Sequence, residues 1–327
     1  MKAVLLVGGK GTRLRPLTCR VPKPLIPVVD KPLMLHVIDS LPDEVDEVVV
    51  PVGYKRDVME DYLARNPPKR RITIVEEREP MGTGGAVKNV EEYIDGPFLV
   101  VNGDSISSLN MRRFVAFHRE KKAFASISLW EVDDPTPFGI VDLDEDQRIR
   151  RFQEKPTREE AFSKLVNAGV YALEYEALDH IGEGFVSMER EVFPKILDKG
   201  MYGLTFDGYW VDCGTRESLL DAFWTLMAEG GAAAPGSPVE EVGARDQVFV
   251  GEGSTAAGAE LGPRVYLASR VHVGEGSKIE NSVVFDDARI GRSCRIANAI
   301  IDEGVTVPDN AVLEDEIVVR DGCPRDE

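Results

Sequence analysis

Eight residues near the start of the chain hold most of what a phosphate-binding loop needs. After the apolar run Ala3–Val7 come Gly8, Gly9, Lys10, Gly11, Thr12 and Arg13, with Arg15 two residues on. Glycines lack the Cβ that keeps a ligand off the backbone, so their N–H groups can face an anion. A helix opening just beyond would add its positive end. Arg13 and Arg15 add charge, so the ligand that suits this stretch is compact and anionic, which means a phosphate. No Gly-Lys-Ser/Thr closes the loop and no G-x-G-x-x-G is present, so neither common nucleotide fingerprint applies. The same glycines would also serve a merely tight turn. Lys23 follows in KPLIPV, where Pro22, Pro24 and Pro27 stiffen the chain around it.

Two aspartates suit a hard cation. Asp104 follows the apolar FLVV and the turn residues NG, and Asp212 lies in GYWVDCGT. Both read as strand ends, where open α/β sheets bind their ligands. Mg²⁺ takes oxygen donors, keeps several waters and shares phosphate oxygens with its substrate, so two carboxylates would be enough. Either aspartate could instead cap a following helix. A second glycine-rich stretch, MGTGGAV, spans Met81–Val87 and again allows close backbone approach, or an ordinary strand-to-helix turn. EKP (Glu154 to Pro156), VNAGVY (Val166 to Tyr171) and Gly139 in TPFGIV offer polar groups beside glycine clearance.

The elements that must position these groups change style along the chain. Strands are expected at Ala3–Val7, Glu47–Val50, Arg71–Val75, Phe98–Val101, Ala125–Leu129, Asn167–Tyr171 and Tyr202–Phe206. Helices are expected at Asp57–Ala64, Ala86–Tyr93, Met111–Lys121, Met188–Lys199 and Glu217–Met227. The alternation predicts a parallel-rich α/β sheet covered on both faces. Gly139–Asp142 and Ile149–Gln153 flank DEDQR as a hairpin. A Gly/Ala/Pro-rich stretch, Glu229–Pro238, reads as a linker. From Val271 the chain runs in hexads (VHVGEG, SKIENS, VVFDDA, RIGRSC, RIANAI, IDEGVT, VPDNAV), the period of a parallel β-helix with three hexads per coil. Two to four coils are expected. The domains are therefore drawn as residues 1–228, a linker at 229–240, and residues 241–327.

The 327 residues carry a formal net charge of -18, which argues against a nucleic-acid surface. No apolar run reaches eighteen residues, so no membrane span is expected, and residues 1–7 are too short for a secretory signal. Cys19, Cys213, Cys294 and Cys323 show no metal spacing and suggest no disulfide framework, which points to a reducing, cytoplasmic setting. His36, His118, His180 and His272 stand apart, with no triad or metal set beside them.

GGKGTRLRPLT with KPLIPV resembles the signature of the sugar-phosphate nucleotidyltransferases, and the likeness runs through the hexapeptide repeats. The resemblance implies a Rossmann-like mixed-sheet catalytic domain followed by a short left-handed β-helix. It implies attack of a sugar 1-phosphate on the α-phosphorus of a nucleoside triphosphate, giving an NDP-sugar and pyrophosphate with Mg²⁺ assistance. Arg13, Lys23, Asp104 and Asp212 would be the catalytic set, with the two aspartates on the metal. The nucleotide would lie along Val7, Gly8, Gly9, Gly11, Thr12 and Arg13, and along Gly82, Thr83 and Gly85. The sugar phosphate would meet Gly139, Glu154, Lys155, Asn167 and Gly169. Ser105 stands where relatives often carry an acid or amide, and Cys213 needs no nucleophilic role. SMEREVFP, from Ser187 to Pro194, is most similar to the mannose-1-phosphate guanylyltransferases, so GTP with mannose 1-phosphate is the favoured pair. Thymidylyl or uridylyl transfer to glucose 1-phosphate is the alternative. An inactive sugar-nucleotide sensor and a second, acyl-transferring activity in the repeats are the other readings. Flat, repetitive coils also lead us to expect a homo-oligomer.

Overall fold

The computed structural model describes residues 1–230, 243–244 and 247–320. Most of the expected linker, from residue 231, lies outside these. By contact the chain forms two compact units, each discontinuous in sequence. The first joins Met1–Gly9 to Leu33–Trp210, and the second joins Lys10–Pro32 to the residues from Val211 onward.

The first unit is built on a nine-stranded sheet. Its strands are β1 (Lys2–Leu6), β2 (Glu47–Val52), β3 (Arg71–Glu76), β4 (Phe98–Asn102), β5 (Ala125–Glu131), β6 (Gly139–Leu143), β7 (Ile149–Glu154), β8 (Leu165–Leu173) and β9 (Met201–Thr205). The order β7-β6-β8-β4-β1-β2-β3 is extended by β5, which pairs with β8 and β9. Strands β4, β1, β2 and β3 run parallel, and β8 runs antiparallel to β4, β5 and β6. The apolar runs seen in sequence are these central strands, and all of β2 is buried, as a sheet covered on both faces requires.

The helices are α1 (Leu33–Ser40), α2 (Arg56–Arg65), α3 (Gly82–Lys88), α4 (Met111–Glu120), α5 (Phe193–Ile196) and α6 (Arg216–Ala228). Helix α1 is additional to those expected; it buries Leu33, Met34, Val37 and Ile38 on one face. The single helix expected over Met188–Lys199 is three pieces: a π turn at Met188–Val192, then α5, then a 3₁₀ turn at Leu197–Lys199. Pro194 lacks the N–H that an unbroken helix needs. His118 on α4 is buried, 2.9 Å from Ser126 Oγ and 3.3 Å from Glu174 Oε1, and burial lowers its pKa. It packs within the core of the first unit. Among the described residues no helix is long and apolar enough to cross a membrane.

In the second unit, α6 opens with a capping box between Thr215 and Ser218. Beyond it lies an all-parallel coil stack, the arrangement of a left-handed β-helix. Among the described residues, two of its faces carry five short strands and the third carries three. That is just over the four coils at the top of the expected range, because the ladders reach back to Gly243–Ala244 and on to Ile317–Val318. Partners stand 17 residues apart at Val248, Val265 and Ser282, one short of three hexads. Asn281, Asp287, Asn298, Asn310 and Asp315 take left-handed backbone, which their short polar side chains tolerate. Inside the stack, buried serines bridge successive stretches. Ser277 Oγ donates to the Gly291 carbonyl at 2.7 Å and accepts from the Cys294 N–H at 3.0 Å.

Cys213 and Cys294 are buried thiols, whereas Cys19 is disulfide-bonded. The spacing of the cysteines conceals that bond, and it removes one ground for a reducing, cytoplasmic setting. Cys323 lies outside the described residues.

Replacing Ser277 by Ala strips two buried backbone groups of their hydroxyl partner. We expect a loss of about 1–3 kcal/mol in urea unfolding. A change indistinguishable from zero would show that the bridge is replaceable.

Candidate functional site

In the second unit, Lys10–Pro32 contains only 3₁₀ turns, at Thr12–Leu14, Leu17–Cys19 and Lys23–Leu25, and a two-residue hairpin pairing Pro27–Val28 with Lys31–Pro32. Gly11 is left-handed (φ 59), and its carbonyl accepts from Thr18 Oγ1 at 2.9 Å, which folds the loop back on itself. Arg13 and Thr12 lie in the turn that follows. Lys23 is 9% exposed, and its Nζ stands 3.9 Å from Asp212 Oδ1. A buried ammonium needs such a counter-charge. Asp212 ends the short strand Trp210–Asp212, and Thr215, not Asp212, caps α6. Gly214 lies directly beneath Arg13: a Cβ there would stand 2.6 Å from Arg13 Nη2. The unit therefore gathers Arg13, Lys23 and Asp212, which are about 200 residues apart in the chain at their extremes.

The first unit supplies the other groups. Val7, Gly8 and Gly9 follow β1, with Gly9 at φ 107. The Gly103 N–H donates to the Leu6 carbonyl at 2.8 Å, which ties the end of β4 to the end of β1 and sets Asp104 just past both. Asn110, not Asp104, caps α4 through its bond from the Arg113 N–H.

The glycines of α3 pack backbone on backbone. The N–H groups of Gly84 and Gly85 donate to the Val186 carbonyl at 2.8 and 3.1 Å, and Gly82 approaches the same residue. Thr83 Oγ1 donates to Glu189 Oε2 at 2.7 Å.

Strand β8 breaks register against β5 between Asn167 and Tyr171, at Gly169 (φ 81). Such a bulge re-aims the flanking side chains. Asn167 Oδ1 accepts from the Gly169 N–H at 2.9 Å, while its Nδ2 donates to Tyr171 Oη at 2.8 Å. Gly169 is required here, because a Cβ would meet Asn102 Nδ2 at 2.6 Å. Glu154 ends β7 opposite Gly139 on β6. Burial, with the Glu189 charge added, pushes its carboxyl pKa above the usual range. Lys155 takes left-handed backbone (φ 47), an uncommon conformation for lysine, and its N–H donates to the Phe138 carbonyl at 2.9 Å.

No local pattern in the sequence singles out Tyr171 or Glu189. The Tyr171 hydroxyl, wholly buried, donates to Glu189 Oε1 at 3.2 Å, and Ser187 Oγ donates to Glu189 Oε2 at 2.8 Å. With Thr83, this links the α3 loop to Asn167 through one carboxylate on the π turn. Single π turns of this kind concentrate at functional sites. The advance signal is the charged, hydroxyl-bearing SMER at the start of the expected helix.

The candidate metal ligands are hard oxygen donors. Among the described residues no three His, Cys, Asp or Glu side chains cluster as a metal cage. Mg²⁺ bound with a phosphate substrate uses one or two carboxylates and completes its shell with phosphate oxygens and water, so the aspartates suit it.

Residues 2–229 match the nucleotidyl transferase family, and residues 237–317 match the GlmU-like C-terminal hexapeptide family. Mannose-1-phosphate guanylyltransferase 1 of Arabidopsis thaliana is 33% identical over 98% of this chain and 91% of its own. The mannose-1-phosphate guanylyltransferase of Mycobacterium tuberculosis is 34% identical over 90% of this chain and 82% of its own. The crystal structure of HddC from Yersinia pseudotuberculosis is 30% identical and superposes with a TM-score of 0.58, covering 69% of this chain and 99% of HddC.

Gly214→Ala should push the Arg13 guanidinium aside while leaving the fold intact, since the displaced atoms end a flexible side chain. We expect turnover to fall about 10- to 100-fold, the scale for a reacting group shifted by an ångström, with an unchanged melting temperature. Full turnover in this variant would separate Arg13's position from catalysis.

Proposed function

The chain belongs to the sugar-1-phosphate nucleotidyltransferases with a hexapeptide-repeat domain, and we propose that it makes GDP-mannose from GTP and mannose 1-phosphate. The family reaction is nucleotidyl transfer to a sugar 1-phosphate, giving an NDP-sugar. A phosphate oxygen of the sugar 1-phosphate forms a bond to the α-phosphorus of the triphosphate, and the bond to the β-phosphate oxygen breaks, so pyrophosphate leaves. The observation that carries this reading is the gathering of Arg13 over Gly214 with Lys23 beside Asp212.

In this proposal Arg13 presents paired donors to charge spreading over the α-phosphate oxygens. Lys23 neutralises phosphate charge close by, while Val7, Gly8, Gly9, Gly11 and Thr12 let the triphosphate approach the backbone. Asp104 and Asp212 would hold Mg²⁺, which draws electron density from the phosphates. Gly82, Thr83 and Gly85 border the nucleoside. Lys155 takes the sugar phosphate, Glu154 and Asn167 take sugar hydroxyls, and Gly139 and Gly169 leave the room. No nucleic acid or membrane takes part, and the flat, repetitive coil stack would join copies of the chain.

Two features favour GTP and mannose 1-phosphate. SMEREVFP is similar to the corresponding stretch of guanylyltransferases, and the two relatives described above carry that name. Mannose and glucose differ in the C2 hydroxyl. A polar group left unpaired by the wrong epimer costs about 1–3 kcal/mol, which is roughly tenfold to a hundredfold in rate or affinity.

The direct experiment is pyrophosphate release from four nucleoside triphosphates, each paired with mannose, glucose, galactose and N-acetylglucosamine 1-phosphates. The highest kcat/KM should fall on GTP with mannose 1-phosphate, with measurable leakage to glucose 1-phosphate. A maximum at dTTP or UTP with glucose 1-phosphate would overturn the guanylyl assignment, and silence with every pair would favour a sensor. Arg13→Lys keeps the charge but loses the planar fork, and should cost roughly 10- to 1000-fold in kcat. Asp104→Asn and Asp212→Asn should each lower kcat strongly, unrescued by more sugar phosphate.

A further inference from the structure

The segment that carries Arg13 and Lys23 has almost no regular structure of its own; besides the disulfide at Cys19, two side chains of the β-helix grip it among the described residues. The first is Tyr266, on the strand Val265–Leu267. Its hydroxyl donates to the Val29 carbonyl at 2.6 Å, and the residue is 7% exposed. Burial pushes the phenol's pKa up to about 12, so it remains a donor at neutral pH. Its ring is fixed by stacking on Phe249 (centroids 4.7 Å apart, planes 9°) and by contact with Phe223 of α6 at 5.1 Å.

The residue it holds is unusual. Val29 is the first of the two residues turning the hairpin that pairs Val28 with Lys31, and it lies at φ 60. Glycine or asparagine ordinarily takes such a place. A β-branched residue there is strained and persists only where its surroundings over-determine it.

The second grip is Asp302, buried in a corner of the coil stack. Its Oδ2 stands 2.5 Å from Arg20 Nη1. Arg20 and Val29 bracket Lys23 in sequence, so the lysine is carried on a short span anchored at both ends to the β-helix.

We propose that Tyr266 and Asp302 are positioning residues for nucleotidyl transfer. The coil stack is then part of the catalytic structure, holding residues 10–32 so that Lys23 and Arg13 keep their places. This rests on the transferase reading above. It goes beyond assembly as the role of the repeats.

The test uses the full-length protein with GTP, mannose 1-phosphate and Mg²⁺. Tyr266→Phe deletes one oxygen from a packed ring. We expect kcat to fall about tenfold, as for a slightly misplaced reacting group, with unchanged mass by light scattering. Amide exchange over residues 18–31 should also quicken, and that readout does not depend on turnover. For the ion pair, Arg20→Asp and Asp302→Arg should each lower kcat, and the double variant should regain most of the loss, as coupled partners do. Unchanged exchange and kcat in Tyr266→Phe, or a double variant no better than the singles, would overturn the proposal. A wild-type protein inactive with every substrate pair would defeat the transferase reading, while the exchange measurement would still decide whether the brace exists.

Discussion

A lysine ammonium, nine-tenths buried and 3.9 Å from the Asp212 carboxylate, sets the main constraint on this structure. Taking that charge out of water is costly unless a counter-charge is held in place. Lys23 sits where no long helix or sheet ladder can hold it. Its segment has short 3₁₀ turns and prolines, and so must be pinned by individual bonds. Thr18 closes the loop onto Gly11, Arg20 reaches Asp302, and Val29 is held by Tyr266. Gly214 completes the arrangement by leaving out the one carbon that would crowd Arg13.

The first unit meets a different demand with a different device. Groups proposed to bind a sugar must be polar yet aimed from a sheet whose strands are otherwise apolar. A bulge at Gly169 turns Asn167 out of the regular ladder, and a buried tyrosine carries its hydrogen bond on to Glu189. The Glu189 charge is shared among the hydroxyls of Thr83, Tyr171 and Ser187, which compensates for its partial burial. The α3 loop and Asn167 thus share one polar network.

Much of this was legible in the chain, for reasons that differ by residue. The central strands show as apolar runs because parallel strands are buried on both faces. The repeats show because each coil spends its aliphatic residues on one shared core, as Leu261, Ile279 and Ile296 do. The proposed reacting groups cluster visibly only where they are local, as in Gly8 to Arg15. What stayed hidden depends on partners far away in sequence. Tyr266 reads as one more β-helix residue until Val29 is found against it, and Glu189 reads as a helix surface acid until three hydroxyls converge on it. The glycines of α3 were visible, but their amides turn out to face Val186. The π turn reflects Pro194 and this network together, and no periodicity announces it.

Direct transfer of a nucleotidyl group to the sugar phosphate is the event that every proposed residue role serves. Phosphorus-31 NMR of the full-length protein with GTP, mannose 1-phosphate and Mg²⁺ observes that transfer itself. It should show the paired diphosphate resonances of a nucleotide sugar growing in step with pyrophosphate, in equal amounts, as the sugar-phosphate signal disappears. Release of inorganic phosphate with GDP, or no conversion of the sugar phosphate here and with the other nucleotide and sugar pairs, would contradict it.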